Sequence, residues 1–346
     1  MVGKLHGERP DPAPLEIDFE AEPEAPRYVV DRVFERQTVN VLSGDTGAAK
    51  SIIGAALTAA ALTGGDWLGR TVYGGRVLVV DEENPARTVR SRLRALGLTN
   101  ADRGGLRYFN RGGVRIGEER WTKWLRREGA AHAADLLIVD TAMAATSADV
   151  NDNDEVVRLF TEALRPVATE LDLAIVVLHH ERKHQPGQSR NPGQAMMGAR
   201  QWAGQADAHV TVAVESDLTE EEGPDGARLL RRSFIMRPAE KAREGETNYP
   251  ERVVVTSEKA ADGQLRWMRV ESEGRIEAPQ TRPDGLARAL GTVIEEGEMT
   301  TAALAGAVGE DSQSTTFRRG LDQATELGLL TKVRRGVYGP PEELGF

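Results

Sequence analysis

The sequence predicts an α/β fold, in which a parallel sheet lies between layers of helices and a small second domain follows at the C-terminal end. After Tyr28, strand-like apolar runs alternate with helical patterns, and this alternation is typical of parallel strands joined by crossover helices. The runs are residues 38–43, 76–81, 135–140, 173–180 and 209–214. All but the last are nearly continuous in apolar residues, which indicates strands buried on both faces.

The composition excludes several classes of function. The 346-residue chain carries 44 basic and 54 acidic residues, and its net charge of −10 argues against a general coat for nucleic acid or membrane surfaces. It has no cysteine, so disulfides and thiolate metal sites are excluded and a reducing cytoplasm is the expected compartment. No apolar stretch approaches the roughly 20 residues of a membrane span. We therefore expect a cytoplasmic protein without a membrane partner, in which any contact with nucleic acid is local.

The length allows one domain of ordinary size and a small second one, and the local composition places their boundaries. Residues 1–27 form an acidic tail, punctuated by prolines, that is too poor in apolar residues to fold alone. Residues 28–272 form the α/β domain, whose last strands are predicted to add in antiparallel fashion at one edge. These strands are 228–238, 251–258 and 263–272, and they are followed by a linker at 273–284, a second domain at 285–340 and a tail at 341–346.

The stretch VNVLSGDTGAAKS reads as a strand, a glycine-bearing turn and the start of an alanine-rich helix. Its pattern resembles G-x-x-x-x-G-K-[ST], in which backbone N–H groups and a helix N-terminus bind nucleotide phosphates. An ordinary strand-to-helix turn is the alternative. The residues assigned to ATP binding are Gly44, Asp45, Thr46, Gly47, Ala48, Ala49, Lys50 and Ser51. Lys50 is expected to reach the β- and γ-phosphates, and the hydroxyl of Ser51 is expected to bind Mg²⁺.

Ala49 stands where this pattern has its second glycine. Its methyl group is placed where the backbone normally approaches the phosphates closely. The cost depends on whether residue 49 adopts a positive φ, which the sequence leaves open. Weak or slow nucleotide binding is one expected consequence of the alanine.

Acidic residues end two of the predicted strands. Asp140 closes the run DLLIVDT and is predicted to be the second anchor for Mg²⁺, with a surface aspartate as the alternative. The run VLVVDEENP places Asp81, Glu82 and Glu83 at the carboxyl end of its strand, the edge where ligands bind in open parallel sheets. A carboxylate at this edge can orient or deprotonate an attacking water.

Four motifs, GDTGAAKS, VLVVDEENPARTVRSRLRALG, LLIVDT and VVLHHERK, stand in a characteristic order and spacing. Together they resemble the RecA-type P-loop ATPases, and most closely the hexameric replicative helicases of plasmids and phages. The resemblance covers residues 28–270. It implies a RecA-like fold, ATP and Mg²⁺ as cofactors, a homo-oligomer that is a hexamer, and single-stranded DNA in the channel of a ring.

The resemblance also implies roles for individual residues. In that family the signature ends in an acidic pair before a proline, and the glutamate two residues before the proline is the catalytic base. That position is Glu83, with Asn84 in place of its acidic neighbour, and Glu82 remains the alternative. A polar γ-phosphate sensor ends the fourth strand, so His180 is assigned this role and His179 is the second choice. A metal site of His180 and His184 is the less favoured interpretation, because no cysteine or carboxylate pattern accompanies them.

In that family a basic residue of the neighbouring subunit completes the charge stabilisation. Lys241 and Arg243 form a K-x-R after a predicted strand and look like this trans-acting finger, with a solvated basic turn as the alternative. The loop after the sensor resembles one that reaches DNA, and its basic contacts are Arg182, Lys183 and Arg190. Residues 197–200 read MGAR where the family often has Arg-Gly-Ser, so the role of Arg200 stays open.

The C-terminal domain resembles a winged helix, with three short helices, of which 314–330 is the recognition helix, and a two-stranded wing at 331–339. Apolar residues at helical spacing predict its core: Phe317, Leu321, Ala324, Leu327 and Leu330. Residues 313–337 carry five basic residues, Arg318, Arg319, Lys332, Arg334 and Arg335, against two acidic ones, and this patch is predicted to contact DNA, including duplex DNA. Acidic residues between 295 and 311 keep protein docking as the alternative.

The sequence therefore favours an ATP-hydrolysing DNA motor, namely a replicative helicase of a mobile element that unwinds or translocates on DNA. A recombination-type or regulatory ATPase that binds duplex DNA without unwinding it is the first alternative. The second belongs to a different class: a nucleotide-controlled DNA-binding switch, in which Ala49 impairs turnover and the winged helix carries the function.

Overall fold

The structure of the protein, a computed structural model, describes residues 25–149, 151–180, 201–238, 250–276, 290, 298–312, 314–326, 330–334 and 336–340. The strands are β1 Tyr28–Val30, β2 Phe34–Glu35, β3 Val39–Gly44, β4 Asp66–Trp67, β5 Arg70–Thr71, β6 Val77–Asp81, β7 Leu106–Asn110, β8 Leu136–Asp140, β9 Ala174–His180, β10 His209–Val214, β11 Thr219–Glu222, β12 Arg228–Pro238, β13 Glu251–Lys259, β14 Leu265–Arg275, β15 Met299–Thr300, β16 Thr331–Arg334 and β17 Val337–Gly339.

The helices are α1 Lys50–Thr63, α2 Ala86–Ala95, α3 Glu119–His132, α4 Ala142–Ala145, α5 Asn153–Arg158, α6 Arg165–Leu171, α7 Gln201–Gln205, α8 Thr301–Ala307 and α9 Thr315–Glu326. A π-helical segment, Leu159–Leu164, joins α5 to α6, and 3₁₀ turns lie at Asn100–Gly105 and Pro224–Gly226. Within the described ranges, none of these helices has both the length and the apolar character that crossing a membrane requires.

The central sheet has the strand order β14-β13-β12-β10-β3-β9-β8-β6-β7, and β11 pairs with β12. All neighbours from β10 to β7 are parallel. The strands β12, β13 and β14 add in antiparallel fashion at one end. This topology confirms the predicted α/β class, including the antiparallel strands at one edge. It also places β3, which leads into the phosphate loop, in the middle of the sheet.

Apolar side chains cover both faces of this sheet, which explains the near-continuous apolar runs of its strands. On one face, Ile53 and Leu57 of α1 pack against the sheet in a cluster that also holds Phe34 and Trp67. The other face is covered by α3, by the α5–α6 segment and by α7, and Trp202 is fully buried there. The strands β3, β6 and β8 are buried along their whole length. Their carboxyl ends are consequently fixed in position by the core.

Three features differ from the boundaries that the sequence predicts. The sequence does not predict the edge strand β7, because its residues are all half-buried and LRYFN has no apolar run. The strand β14 continues to Arg275, so it extends into the segment expected to be a linker. Arg27, in the expected tail, forms an ion pair of 2.6 Å with Asp172.

The C-terminal residues form a small unit with a core of its own. The strands β15, β17 and β16 make a three-stranded antiparallel sheet in that order, which adds one strand to the expected two-stranded wing. The helix α9 lies within the expected recognition helix at 314–330. Four of the predicted core residues, Phe317, Leu321, Ala324 and Leu330, are buried, which confirms the apolar stripe, and Leu327 lies outside the described residues.

We expect Gly44→Ala to destabilise the α/β domain, because a β-carbon at residue 44 would overlap the backbone carbonyl oxygen of Val212 on β10. Overpacking of this kind costs about 1–3 kcal/mol, and the free energy of unfolding in urea measures it. Gly75→Ala is the matched control, because a β-carbon at residue 75 meets no atom within 4 Å. Equal stability of the two variants would contradict the prediction.

Candidate functional site

The phosphate loop leaves the buried end of β3 and turns directly into α1. Gly47 has a φ of 86° and Ala49 a φ of 58°, so two residues of the loop adopt the left-handed conformation. A β-carbon at residue 47 would meet no atom within 4 Å, which leaves the concave side of the loop open. Successive residues in such a turn direct backbone N–H groups to one point, and a helix N-terminus adds its dipole there. The loop therefore has the form of an anion cradle.

The conformation of Ala49 answers the question that the sequence leaves open. Its φ of 58° and ψ of 17° are left-handed, and it is the residue immediately before the first turn of α1. A residue with a β-carbon costs roughly 1–2 kcal/mol in this region, and glycine adopts it without that cost. Ala49 is thus a strained residue in the phosphate loop.

Lys50 is buried beneath the loop rather than extended into solvent. Its Nζ donates hydrogen bonds of 2.7 Å to the carbonyl oxygen of Gly44 and of 2.9 Å to that of Asp45. These contacts hold the ammonium group at the centre of the cradle. The geometry matches the role of a phosphate-binding lysine that the sequence assigns to it.

Asp140 ends β8 next to the phosphate loop and is only 5% exposed. Burial, together with the negative charge of Asp81, raises the pKa of its carboxyl to about 6, and a hydrogen bond with Ser51 opposes the rise. Its Oδ1 is buried and has no hydrogen-bond partner within the described part of the chain. The unpaired carboxylate oxygen and the neighbouring serine hydroxyl both offer oxygen ligands, which Mg²⁺ prefers as a hard cation. Ser51 and Asp140 therefore fit the predicted metal site.

No cluster of three or more histidine or acidic residues that could hold a metal lies within the described ranges. His184, the second residue of the less favoured metal site, lies outside those ranges.

Asn84 is a site residue whose role the sequence does not reveal. Its Nδ2 donates to Asp140 Oδ2 at 2.9 Å and to Asp81 Oδ1 at 3.2 Å, so one amide bridges the ends of two strands. Its Oδ1 accepts a hydrogen bond of 3.0 Å from Arg92. An acidic residue here would add a third carboxylate to the pair, whereas the amide donates to both. The only indication of this role in the sequence is that asparagine stands where the family has an acidic residue.

The two candidate bases, Glu82 and Glu83, have different surroundings. Both carboxylate oxygens of Glu82 accept backbone N–H bonds, from Gly113 at 3.0 Å and from Val114 at 2.9 Å. Glu83 instead extends into the cleft, where its Oε2 lies 3.3 Å from His180 Nε2. The hydrogen bond with His180 lowers the pKa of the Glu83 carboxyl, and the charge of Lys50 adds to this effect. The geometry supports Glu83 as the candidate base, because its carboxylate is exposed to the cleft and is not held by backbone amides.

The two histidines at the end of β9 lie on different sides of the sheet. His180 is half-buried at the cleft beside Glu83. His179 is 1% exposed, packs its ring 4.6 Å from that of Trp202, and has no partner for either ring nitrogen among the described residues. Burial lowers the pKa of His179 to about 4, so this ring is neutral at pH 7. His180 is therefore the histidine that the structure brings to the cleft.

The phosphate loop opens into a cleft of about 930 Å³. One wall is α2, the opposite wall is formed by β12, β13 and β14, and the loop with the start of α1 closes one end. Lys50, Ser51, Glu83 and His180 all line this cleft, so residues distant in the sequence meet at a single place.

The other assigned residues belong to the C-terminal unit or fall outside the described residues. Lys241 and Arg243 fall outside the described residues, as do Arg182, Lys183, Arg190 and Arg200, and their roles remain predictions. In the small C-terminal unit, Arg318, Lys332 and Arg334 are exposed, and Arg334 forms an ion pair of 3.0 Å with Glu298. Arg319 lies on α9, and Arg335 is outside the described residues. The patch thus presents at least three cations to solvent.

We expect Ala49→Gly to raise the free energy of unfolding by about 0.5–1 kcal/mol, because relief of the left-handed strain exceeds the entropy cost of glycine. We also expect tighter nucleotide binding. Ala48→Gly is the matched control: Ala48 is buried and has no positive φ, so the same change there should destabilise. Urea unfolding and nucleotide titration measure both effects. An unchanged dissociation constant would mean that the loop already accommodates the methyl group.

The raised pKa of Asp140 gives a pH dependence with a definite sign. The folded state retains the proton up to about pH 6, whereas the unfolded carboxyl loses it near pH 4, so this group destabilises the protein as the pH rises through that window. Without Mg²⁺, Asp140→Asn should therefore be more stable than the parent at pH 7.5, by at most about 3 kcal/mol. Urea unfolding at several pH values should show the gain vanishing near pH 4. A gain that is constant with pH would contradict the assignment.

Comparison with known proteins assigns the first half of the chain to a family. The AAA domain family model matches residues 8–186, which is just over half of the 346 residues. No curated protein matches the chain. Among solved structures, a KaiC-like protein from the hyperthermophilic archaeon Pyrococcus horikoshii is similar, with 15% identity, a TM-score of 0.43, and coverage of 71% of this chain and 94% of that chain. The family match contains the phosphate loop, Glu83, Asp140 and His180, and the chain belongs to the AAA domain family of P-loop ATPases.

Proposed function

We propose that the protein is an ATP-hydrolysing, DNA-dependent motor, of the kind represented by the hexameric replicative helicases of phages and plasmids. The observation that carries the proposal is the meeting of Lys50, Ser51, Glu83 and His180 in one cleft, with Asp140 behind them. A phosphate cradle alone binds a nucleotide. An exposed carboxylate at the cleft, hydrogen-bonded to a half-buried histidine, adds the means to activate water.

The residues of this chain divide the work as follows. The loop and Lys50 bind and orient the triphosphate, and Ser51 and Asp140 hold Mg²⁺, which when bound neutralises developing charge on the phosphates. Glu83 orients the attacking water and accepts its proton. His180 Nε2 can donate only one hydrogen bond at a time, so a γ-phosphate oxygen that takes it competes with Glu83. Loss of that bond removes the main cause of the lowered pKa of Glu83 and makes it a stronger base at the moment of attack.

The remaining parts of the proposal are an oligomer and DNA. Charge stabilisation by Lys241 and Arg243 of a neighbouring subunit requires an assembly, for which a hexameric ring is proposed. The small C-terminal unit is proposed to be a winged helix that contacts DNA through Arg318, Arg319, Lys332, Arg334 and Arg335. The exposure of Arg318, Lys332 and Arg334 supports this role. Single-stranded DNA is the proposed substrate of the ring.

ATP hydrolysis by the purified protein, with and without single-stranded DNA, tests the proposal when the oligomeric mass is read in the same samples. We expect turnover that DNA stimulates, in an oligomer, with strand displacement from a forked duplex. Stimulated turnover without strand displacement would favour the recombination-type ATPase. ATP binding without turnover, combined with ATP-dependent binding of duplex DNA, would favour the nucleotide-controlled switch, for which the strained Ala49 is the specific observation.

Substitution of each glutamate in turn shows which of the two is the catalytic base. We expect Glu83→Gln to retain ATP binding and to lower turnover by about 10²–10⁴-fold, the usual contribution of a general base. Glu82→Gln replaces one of the two acceptor oxygens with an NH₂ group, so one backbone amide loses its acceptor, and the change should cost about 1–3 kcal/mol of stability while turnover by the folded fraction persists. Lys50→Ala should abolish nucleotide binding and serves as the negative control. Normal turnover in Glu83→Gln would transfer the role to Glu82.

A further inference from the structure

The cleft continues past the phosphate loop along α2, and the proposed hydrolysis uses no arginine of this part. Arg87, Arg90 and Arg94 line it at spacings of three and four residues, which place them on one face of the helix. All three are exposed, and none of their side chains forms an ion pair or hydrogen bond with another described residue. Arg92 differs from them, because it donates to Asn84. We name Arg87, Arg90 and Arg94 the arginine wall.

The opposite side of the cleft combines an apolar floor with two further cations. Leu230, Phe234, Val255, Leu265 and Met268 of β12, β13 and β14 form the floor. Arg232 and Lys259 lie on the same strands and also line the cleft. Glu83 is the sole acidic residue among the described residues that line it, and it is engaged with His180. The cleft therefore suits a ligand with one apolar side and one strongly acidic side.

The chain itself contains a segment with this character. Residues 15–22 read LEIDFEAE, in which apolar residues alternate with acidic ones without interruption. In an extended chain this period of two places all the acids on one face and all the apolar side chains on the other. The segment lies outside the described residues, but inside the match to the AAA domain, which begins at residue 8. We name residues 15–22 the acidic strand segment.

We propose that the acidic strand segment docks in this cleft, with its apolar side on the floor and its acids against the arginine wall. The spacings agree. Arg87 and Arg94 are seven residues apart on a helix, which is about 10 Å along its axis. Acids at every second position of an extended chain repeat every 6–7 Å or so, so two or three of them face the arginine wall at once. Charge complementarity is the stronger argument, since the chain carries a net charge of −10 and concentrates unpaired arginines here.

The absence of cysteine from the chain makes a direct test possible in the full-length protein. We would introduce two cysteines, Asp18→Cys and Arg90→Cys, and measure the rate of disulfide formation under mild oxidation. The matched control is Asp18→Cys with Arg120→Cys, because Arg120 is an exposed arginine on α3, which packs on the other face of the sheet. We expect cross-linking about tenfold faster than in the control, because docking raises the local concentration of the pair. Equal rates in the two proteins would overturn the proposal.

Two further experiments test whether electrostatic attraction causes the cross-link. Electrostatic docking predicts that 1 M NaCl, where the Debye length is about 3 Å, brings the rate close to that of the control. Glu16→Gln, Glu20→Gln and Glu22→Gln in the Asp18→Cys, Arg90→Cys protein should slow it as well. A band at the monomer mass assigns the segment to its own chain and a band at the dimer mass assigns it to a neighbour, and either supports docking.

The arginine wall could instead bind nucleic acid. If substitution of Arg87, Arg90 and Arg94 by alanine weakens binding of an oligothymidylate while the cross-link stays at the control rate, the wall is a nucleic-acid surface and the docking proposal fails. The cross-link requires neither ATP nor turnover. Its outcome is therefore independent of whether the proposed hydrolysis is correct.

Discussion

The site depends on how the protein relieves the repulsion between two buried carboxylates. Asp81 and Asp140 are register partners on the parallel strands β6 and β8, so the sheet itself holds them side by side. Asp81 accepts hydrogen bonds from the backbone of Glu83 and Asn84, from the Asn84 amide and from the Tyr108 hydroxyl. Asp140 accepts fewer hydrogen bonds than Asp81, and its Oδ1 has no hydrogen-bond partner among the described residues. This imbalance leaves Asp140 as the carboxylate that a cation beside Ser51 would satisfy.

The same interactions determine which of the three acidic residues at the end of β6 can face the cleft. Asp81 accepts the backbone amides that shape the turn, and Glu82 binds the backbone at Gly113 and Val114. With both of these carboxylates engaged, only Glu83 extends into the cleft. The edge strand β7 contributes to this arrangement, since Tyr108 donates to Asp81 and Asn110 donates to the carbonyl oxygen of Asn84 at 2.8 Å. Residues far from the nucleotide loop thus fix the direction of the candidate base.

The sequence predicts most of the sheet, because strands buried on both faces leave continuous apolar runs, as in β6, β8 and β9. It does not predict β7, whose half-buried residues leave no such run. The phosphate loop, Asp140 and His180 are likewise predictable, because they follow strands directly. The choice between Glu82 and Glu83 is not, since it depends on backbone amides about thirty residues away. The walls of the cleft are also not predicted, because α2 and β14 are far apart in the sequence and come into contact only in the fold.

The two departures from the family pattern, at residues 49 and 84, act in opposite directions. Ala49 places a β-carbon in a left-handed conformation and so adds strain at the start of α1. The strain is tolerated because β3 and much of α1 are buried, and the core holds both ends of the loop in place. Asn84 stands where the family has a charged residue, and its amide donates to both Asp81 and Asp140. These hydrogen bonds reduce the repulsion between the two carboxylates. The two residues therefore have opposite local effects: Ala49 adds strain to the phosphate loop, and Asn84 reduces the repulsion between the two carboxylates beside it.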